Sequence, residues 1–255
     1  MIDVMEQGDV AVIEMHHGKA NALDTAFCDA LALRFERLRE SSSRAVVLTG
    51  QGRMFSAGVD LPQMVEAGVP YIREFLPALH RLYDTIFHFP KPVVAAINGH
   101  AIAGGCILAC CADRRLMAKD GGRNDARMGV TEILVGVPFP PLAFEVMRSV
   151  TAPRYLAEAV LTGATVTPED ALARGWVNEL AARDEIVPRA VAAAEALAAV
   201  SPAAFAIGKR QLRQPATERM AQSGAALEAE VTEIWVADAT LARMRDFVAR
   251  TLKKA

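Results

Sequence analysis

An α/β fold with a helical tail is what this 255-residue sequence predicts, and three observations predict it. Short apolar runs alternate with loops and amphipathic stretches as far as about residue 183, the pattern of strand, loop and helix units. Beyond that point nearly every stretch carries helical periodicity. Aromatic residues make up only 6% of a chain that is 52% hydrophobic, fewer than a β sandwich would use.

Taken in order, Val10-Ala-Val-Ile-Glu-Met15 reads as an early strand, paired as a hairpin with residues 2–5 across Gln7-Gly8-Asp9. Residues 16–23 read as a polar loop; the adjacent His16 and His17 point opposite ways in an extended chain, which disfavours a shared metal. Asp24 is placed to cap a helix running to about Ser41, with Leu31, Phe35 and Leu38 on one face. Residues 44–49 form a second buried strand. The glycine-rich loop 50–61 then matches neither G-x-G-x-x-G nor G-x-x-x-x-G-K-[ST], so neither a dinucleotide site nor a P-loop is indicated.

Residues 70–88 predict a helix whose stripe (Ile72, Phe75, Leu76, Leu79, Leu82, Tyr83, Ile86) serves as core or lines a greasy pocket. Val93-Val-Ala-Ala-Ile97 is a strand, Asn98-Gly99 a turn, and Gly104-Gly105 open a helix. Two glycines there either admit close packing on a sheet or bare backbone N–H groups to a ligand at the positive end of the helix. Segments 113–118 and 127–135 follow, with a surface turn at Arg123, Asn124 and Asp125. The tail predicts helices over 184–199, 202–213, 216–235 and 238–252, and Trp235 suits either a subunit interface or packing within the chain. The chain is thus read as two regions, 1–183 and 184–255.

A net charge of −2 gives no basic footprint for nucleic acid. No stretch reaches the roughly 20 apolar residues that span a bilayer. The first residues carry acids and no basic region, so no signal peptide is expected and a cytoplasmic location is the default. The four cysteines, at 28, 106, 110 and 111, are read as small buried hydrophobes rather than ligands or disulfides.

Three segments together resemble the crotonase, or enoyl-CoA hydratase/isomerase, family. They are Phe55-Ser-Ala-Gly-Val-Asp-Leu61; Lys91-Pro-Val-Val-Ala-Ala-Ile-Asn-Gly-His-Ala-Ile-Ala-Gly-Gly-Cys106 with Asp113-Arg114 behind it; and Arg127-Met-Gly-Val-Thr-Glu-Ile-Leu-Val-Gly136. The resemblance spans essentially the whole chain. It implies a spiral of ββα units, a C-terminal helical trimerisation region giving a homotrimer or dimer of trimers, and an acyl-CoA thioester as substrate. No separate cofactor, metal, nucleic acid or membrane is implied, coenzyme A being part of the substrate.

The resemblance also implies roles. Backbone N–H groups of Ala57 and Gly104 would hold the thioester oxygen, each stabilising a developing oxyanion by roughly 3 kcal/mol. Ala20, Ala22, Ala57, Gly58, Val59, Asp60, Leu61, Gly104 and Thr131 would line the substrate. Hydratases of the family carry two glutamates, and here the later one is Glu132 while the earlier falls at Ile107. Hydration profits from two carboxyl groups; moving a double bond needs only one base. Δ3,Δ2-enoyl-CoA isomerases resemble this chain in having an apolar residue at the position of Ile107 and a single glutamate at that of Glu132.

Ile133, Leu134, Val135 and Phe139 are expected to desolvate Glu132 and raise its pKa. Val59 stands where decarboxylase-like members carry histidine, and Pro140 where dienoyl-CoA isomerases carry aspartate. An enoyl-CoA hydratase with an incomplete acid/base pair is the alternative reading. A non-catalytic acyl-CoA or RNA binding protein is the second. Lys19, Arg53 and Lys91 are cations available to coenzyme A. His100 is read as a loop histidine and Asp60 as a residue that fixes its loop.

Overall fold

The computed structural model describes residues 1–121 and 125–251. Strands β1 (Ile2–Gln7) and β2 (Val10–Met15) form the expected antiparallel hairpin, with Ile2 opposite Met15. Strand β3 (Ala22–Leu23) leads into α1 (Thr25–Arg39), where the Asp24 carboxylate accepts the Phe27 N–H at 2.7 Å. At the other end of α1 the Lys91 ammonium donates to the carbonyls of Leu38, Ser41 and Ser43 at 2.6, 2.9 and 2.8 Å. That triple cap commits Lys91 to the fold rather than to coenzyme A.

The chain then repeats one pattern: a strand of the large sheet, a short strand of a second sheet, a helix. Strands β4 (Ala45–Thr49), β5 (Met54–Ser56) and β6 (Gly58–Val59) precede α2 (Leu61–Phe87). Strands β7 (Val93–Ile97) and β8 (His100–Ile102) precede α3 (Gly104–Cys110). Strands β9 (Arg114–Ala118) and β10 (Met128–Gly129) precede a 3-10 turn at Glu132–Val135 and then α4 (Pro141–Val150). Helix α5 (Pro153–Thr162), β11 (Thr165–Val166), α6 (Pro168–Arg174) and β12 (Glu179–Ala181) complete the α/β part.

The six-stranded sheet runs β1-β2-β4-β7-β9-β12, every pair beyond the hairpin being parallel. A four-stranded sheet runs β11-β10-β8-β5, and β3 pairs with β6. This is the spiral of ββα units that the resemblance implies. Strands buried on both faces read as continuous apolar runs, and period-2 alternation sorts them. Val46, Leu48, Ala95 and Ile97 face the main core, whereas Val47, Val94 and Ala96 face α7 (Ile186–Ala198). Helix α7 therefore packs as a layer against the large sheet.

Helix α2 begins at Leu61, well before the expected residue 70, because Asp60 caps it through the Gln63 N–H at 3.0 Å and Pro62 fits its first turn. Gly68, at φ 68° and ψ −156°, interrupts it, which is why the sequence shows only the second part as a periodic helix. The tail differs too. The stretches 202–213 and 216–235 merge, with α8 (Pro202–Arg219) running through Pro215 into a wide π turn (Met220–Gly224) and α9 (Ala225–Trp235). Buried Arg213 and Ala216 anchor α8 on both sides of that proline, so one lost backbone hydrogen bond does not end it.

Helix α10 (Asp238–Thr251) closes the chain, and Leu252 of the expected helix lies outside the described residues. Trp235 is buried against its own core, its indole N–H donating to the Pro138 carbonyl at 2.9 Å. Of the expected surface turn, Arg123 and Asn124 lie outside the described residues, and Asp125 accepts the N–H groups of Asp120 and Gly121. All four cysteines are buried and unbridged. Among the described residues no single helix is long and apolar enough to cross a membrane.

Candidate active site

Strand pairing brings three distant loops to one place. The β3–β6 pair joins residues 20–23 to 57–60, the β5–β8 pair joins 54–56 to 100–102, and the β8–β10 pair carries the Glu132 turn alongside. Asn21 holds the first two together from a left-handed backbone conformation, φ 47°. Its amide donates to the carbonyls of Met15 and Phe55 at 3.0 and 3.1 Å, and its Oδ1 accepts the His17 N–H at 2.6 Å. The Ser56 hydroxyl donates to the Asn21 carbonyl at 2.7 Å and accepts the Gly58 N–H at 3.2 Å.

The two helix-opening glycines divide the roles the sequence left open. A methyl on Gly105 would run into the Ser56 backbone, so Gly105 serves close packing. Gly104 stands beside Gly58: a methyl on Gly58 would lie 2.9 Å from the Gly104 nitrogen and 2.7 Å from the Ile102 carbonyl oxygen. Gly58 also sits at φ 82°, where a side chain is strained. Just before the pair, Ala103 takes φ 50° and ψ −128°, an unfavourable conformation for alanine. Its N–H donates to the Gly129 carbonyl at 2.7 Å, and its carbonyl accepts the Cys106 N–H at 2.8 Å.

Glu132 is 6% exposed, and its Oε2 is buried without a hydrogen-bond partner. Burial pushes its carboxyl from an ordinary 4.5 up to about 8. Burial raises the pKa of the Tyr83 hydroxyl and the Cys106 thiol, and the Glu132 charge adds to both shifts. The desolvating groups are not all those expected: Val135 is buried, but Ile133 and Leu134 are 39% and 57% exposed and turn outward. Among the described residues the other buried glutamate is Glu145, which Arg219 and Arg148 neutralise at 2.6 and 3.3 Å. Among the described residues Glu132 has no such cation.

The remaining expected residues fall as follows. The Ala57 N–H is engaged, donating to the Ala20 carbonyl at 2.9 Å, which corrects its assignment as a donor to the thioester oxygen. Ala22 pairs with Gly58 and Leu23 with Val59, and the Asp60 N–H donates to the Leu23 carbonyl at 3.0 Å. Asp60 and Leu61 form the cap and first residue of α2. Thr131 precedes Glu132, its carbonyl accepting the Leu134 N–H at 3.0 Å. Ile107 is buried in the core. His100 accepts the Arg127 N–H through Nδ1 at 3.0 Å, and burial with nearby guanidinium groups holds its pKa below the usual value.

A cavity of about 700 Å³ shares Ile133 and Gly136 with the Glu132 turn and is walled by Phe139, Phe144, Leu227 and Val231, but not by Glu132 or Gly104. Pro138 and Pro141 also line it, whereas the stripe from Ile72 to Ile86 is core. Asn21, Ser56 and Tyr83 are contributors the sequence reading missed. Tyr83 was visible only as one member of an apolar stripe, although its hydroxyl donates to the Gly104 carbonyl at 2.9 Å.

Comparison with known proteins identifies the family and the fold. A sequence profile of the family described as enoyl-CoA hydratase/isomerase matches residues 5–245. The chain is 33% identical over 213 residues to a putative enoyl-CoA hydratase of Thermus thermophilus, covering 82% of each protein. It is 31% identical to a solved enoyl-CoA isomerase of Mycobacterium tuberculosis, with a TM-score of 0.79 over 91% of this chain and 96% of the other. Human mitochondrial Δ3-Δ2-enoyl-CoA isomerase shares the fold at a TM-score of 0.92, with 24% identity over 99% and 98% of the two chains.

Proposed function

The chain belongs to the enoyl-CoA hydratase/isomerase family, and from that premise we propose that it is an enoyl-CoA isomerase, converting 3-enoyl-CoA to 2-enoyl-CoA. The observation that carries this reading is one buried carboxylate, Glu132, without a cationic partner, in a helix-and-loop site where Ile107 replaces a second acid. Ionised Glu132 takes a proton from C2 of the acyl chain. The electron pair passes through the conjugated system to the thioester oxygen, giving a dienolate, and the proton returns from Glu132 to C4. One group suffices for both transfers because the carboxyl titrates near neutrality.

The dienolate oxygen needs two donors. The Gly104 N–H is one. The second follows from the β3–β6 ladder: Asp60 N–H points to β3, and alternation along an extended strand turns the Val59 N–H the other way. Val59 therefore replaces Ala57 as partner of Gly104. The substrate lies along 57–61, with Ala20, Ala22 and Thr131 beside it, and its acyl tail extends toward the 700 Å³ cavity.

The protein acts as a homotrimer or a dimer of trimers, for which the exposed apolar side chains of Leu134 and Leu161 are suited. Light scattering checks this, and a monomer overturns it.

The test of activity offers purified protein a 3-enoyl-CoA and a 2-enoyl-CoA in parallel. Conjugation of the first, lost in Glu132→Gln, supports the isomerase. Faster hydration of the second replaces it with a hydratase. Binding of coenzyme A thioesters without turnover replaces both with a binding protein.

A further inference from the structure

At the opposite end of α3 from Gly104, roughly 10 Å away at 1.5 Å per residue, lies a cavity of about 660 Å³ that the proposed chemistry does not use. Four cations line it (Arg114, Arg115, Lys209 and Arg213), and Asp113 is the only acid among the described residues of its wall. Asp113 binds Lys209 at 2.7 Å and Arg213 at 2.8 Å. Both cations are more than nine-tenths buried. The buried Arg115 guanidinium bonds the carbonyls of Trp176 and Ala112 rather than a carboxylate.

Glu179, outside the wall, pairs with Arg114 at 2.8 Å. Among the described residues, however, the Arg115 guanidinium bonds only carbonyls and Asp113 alone faces Lys209 and Arg213, so positive charge still exceeds negative in a place where water screens little. Two donors are left over: Arg213 Nη1 and Arg114 Nε are buried with no acceptor. The guanidinium carbon of Arg213 lies 4.1 Å from the Phe87 ring centroid, which fixes its orientation. Apart from Ser149 and Asn178 the rest of the wall carries no polar side chain, and it includes Phe205, Leu197 and Leu212.

Gly208 supplies an independent sign. It sits inside α8, where glycine costs about 1 kcal/mol relative to alanine, and a methyl there would meet nothing within 4 Å. Neither backbone conformation nor close packing calls for glycine; its effect is to keep the cavity wide.

We propose that this cavity binds a small organic oxyanion, a carboxylate or phosphate ester carried on a short hydrocarbon body. The anionic group meets Arg213 and Lys209, and the hydrocarbon lies along Phe205 and Leu212. Calorimetric titration with sodium hexanoate and with hexyl phosphate tests this, 1-hexanol being the neutral control. The expected result is one bound anion per chain from at least one of the two, with hexanol at least tenfold weaker; which of the two binds distinguishes carboxylate from phosphate.

Gly208→Leu adds bulk to the cavity wall while leaving the ion-cluster residues in the sequence, and Leu212→Asp places a repelling charge at its rim. Each weakens binding at least tenfold while leaving enoyl-CoA turnover unchanged, and Leu212→Asp decides alone should Gly208→Leu misfold. Absence of binding, equal binding of hexanol, or anion binding that survives in folded variants overturns the proposal. The last outcome would mean that the anion occupies the acyl site instead.

Discussion

The Tyr83 hydroxyl donates to the Gly104 carbonyl oxygen at 2.9 Å, so a side chain of α2 holds the first peptide of α3. The hydroxyl is fully buried, and that burial, with a smaller contribution from the Glu132 charge, raises its pKa. It fixes the Gly104–Gly105 peptide, the next along the chain from the Ala103–Gly104 peptide whose N–H is the proposed oxyanion donor, and so steadies that donor indirectly. Tyr83→Phe removes one buried hydrogen bond, expected to cost about 1 kcal/mol of stability. It should lower kcat about threefold to tenfold with little change in KM, since the donor is misaimed rather than lost. Steady-state kinetics on 3-enoyl-CoA beside urea unfolding separates the two effects; an unchanged kcat would reduce Tyr83 to a core residue.

Glu132 gives both a rate and a stability profile in pH. As a base it acts ionised, so kcat/KM should climb with pH and level off above about 8. Its folded pKa lies above the unfolded value of 4.5, so the folded state binds its proton more tightly. The stabilising contribution is complete below about pH 4.5 and is lost as pH rises through about 8. Glu132→Gln should lower kcat by 10²-fold or more, roughly the worth of a positioned base. It should also remove more than about 1 kcal/mol of the stability difference between those two pH values, read from urea midpoints.

Gly58 admits no side chain. Alanine there would suffer both the strain of φ 82° and contacts of 2.7–2.9 Å with Ile102, Ala103 and Gly104. Gly58→Ala is expected to cost about 2 kcal/mol or more in stability. Turnover should fall by at least tenfold even where the protein stays folded, because the loop moves away from Gly104. Full activity in this variant would disprove the donor pair proposed here.

Asn21→Ala should be among the most destabilising changes near the site, by about 2–4 kcal/mol in chemical denaturation. It leaves the carbonyls of Met15 and Phe55 and the His17 N–H without their partner in a buried place. A loss below about 0.5 kcal/mol would show that water replaces the amide.

Strand positions and the hairpin were legible because period-2 burial leaves its mark directly on residues such as Val46, Val47 and Leu48. Glu132 was legible through its motif, and the residues that bury it were only partly so, Ile133 and Leu134 turning outward. The identity of the second backbone donor was not legible. Ala57 and Val59 are two residues apart, and only the pairing of β3 with β6 shows that the Ala57 N–H is already taken. Tyr83 was hidden for another reason: an amphipathic stripe reports the ring, while the hydroxyl's partner lies 21 residues on. The merged tail helices were missed because Pro215 signals a break locally, whereas burial on either side of it is a tertiary fact.

The interruption at Gly68 gives α2 two independent mechanical duties. Residues 61–67 continue from the Asp60 cap and the substrate loop, while 69–87 are bolted to the core and end in the turns that carry Tyr83. A continuous helix would transmit any shift of its first turns along its length. With the joint in place, drift in 61–67 can shift the segment that follows the proposed substrate loop while the Tyr83–Gly104 contact stays put, so the two are free to evolve on separate schedules.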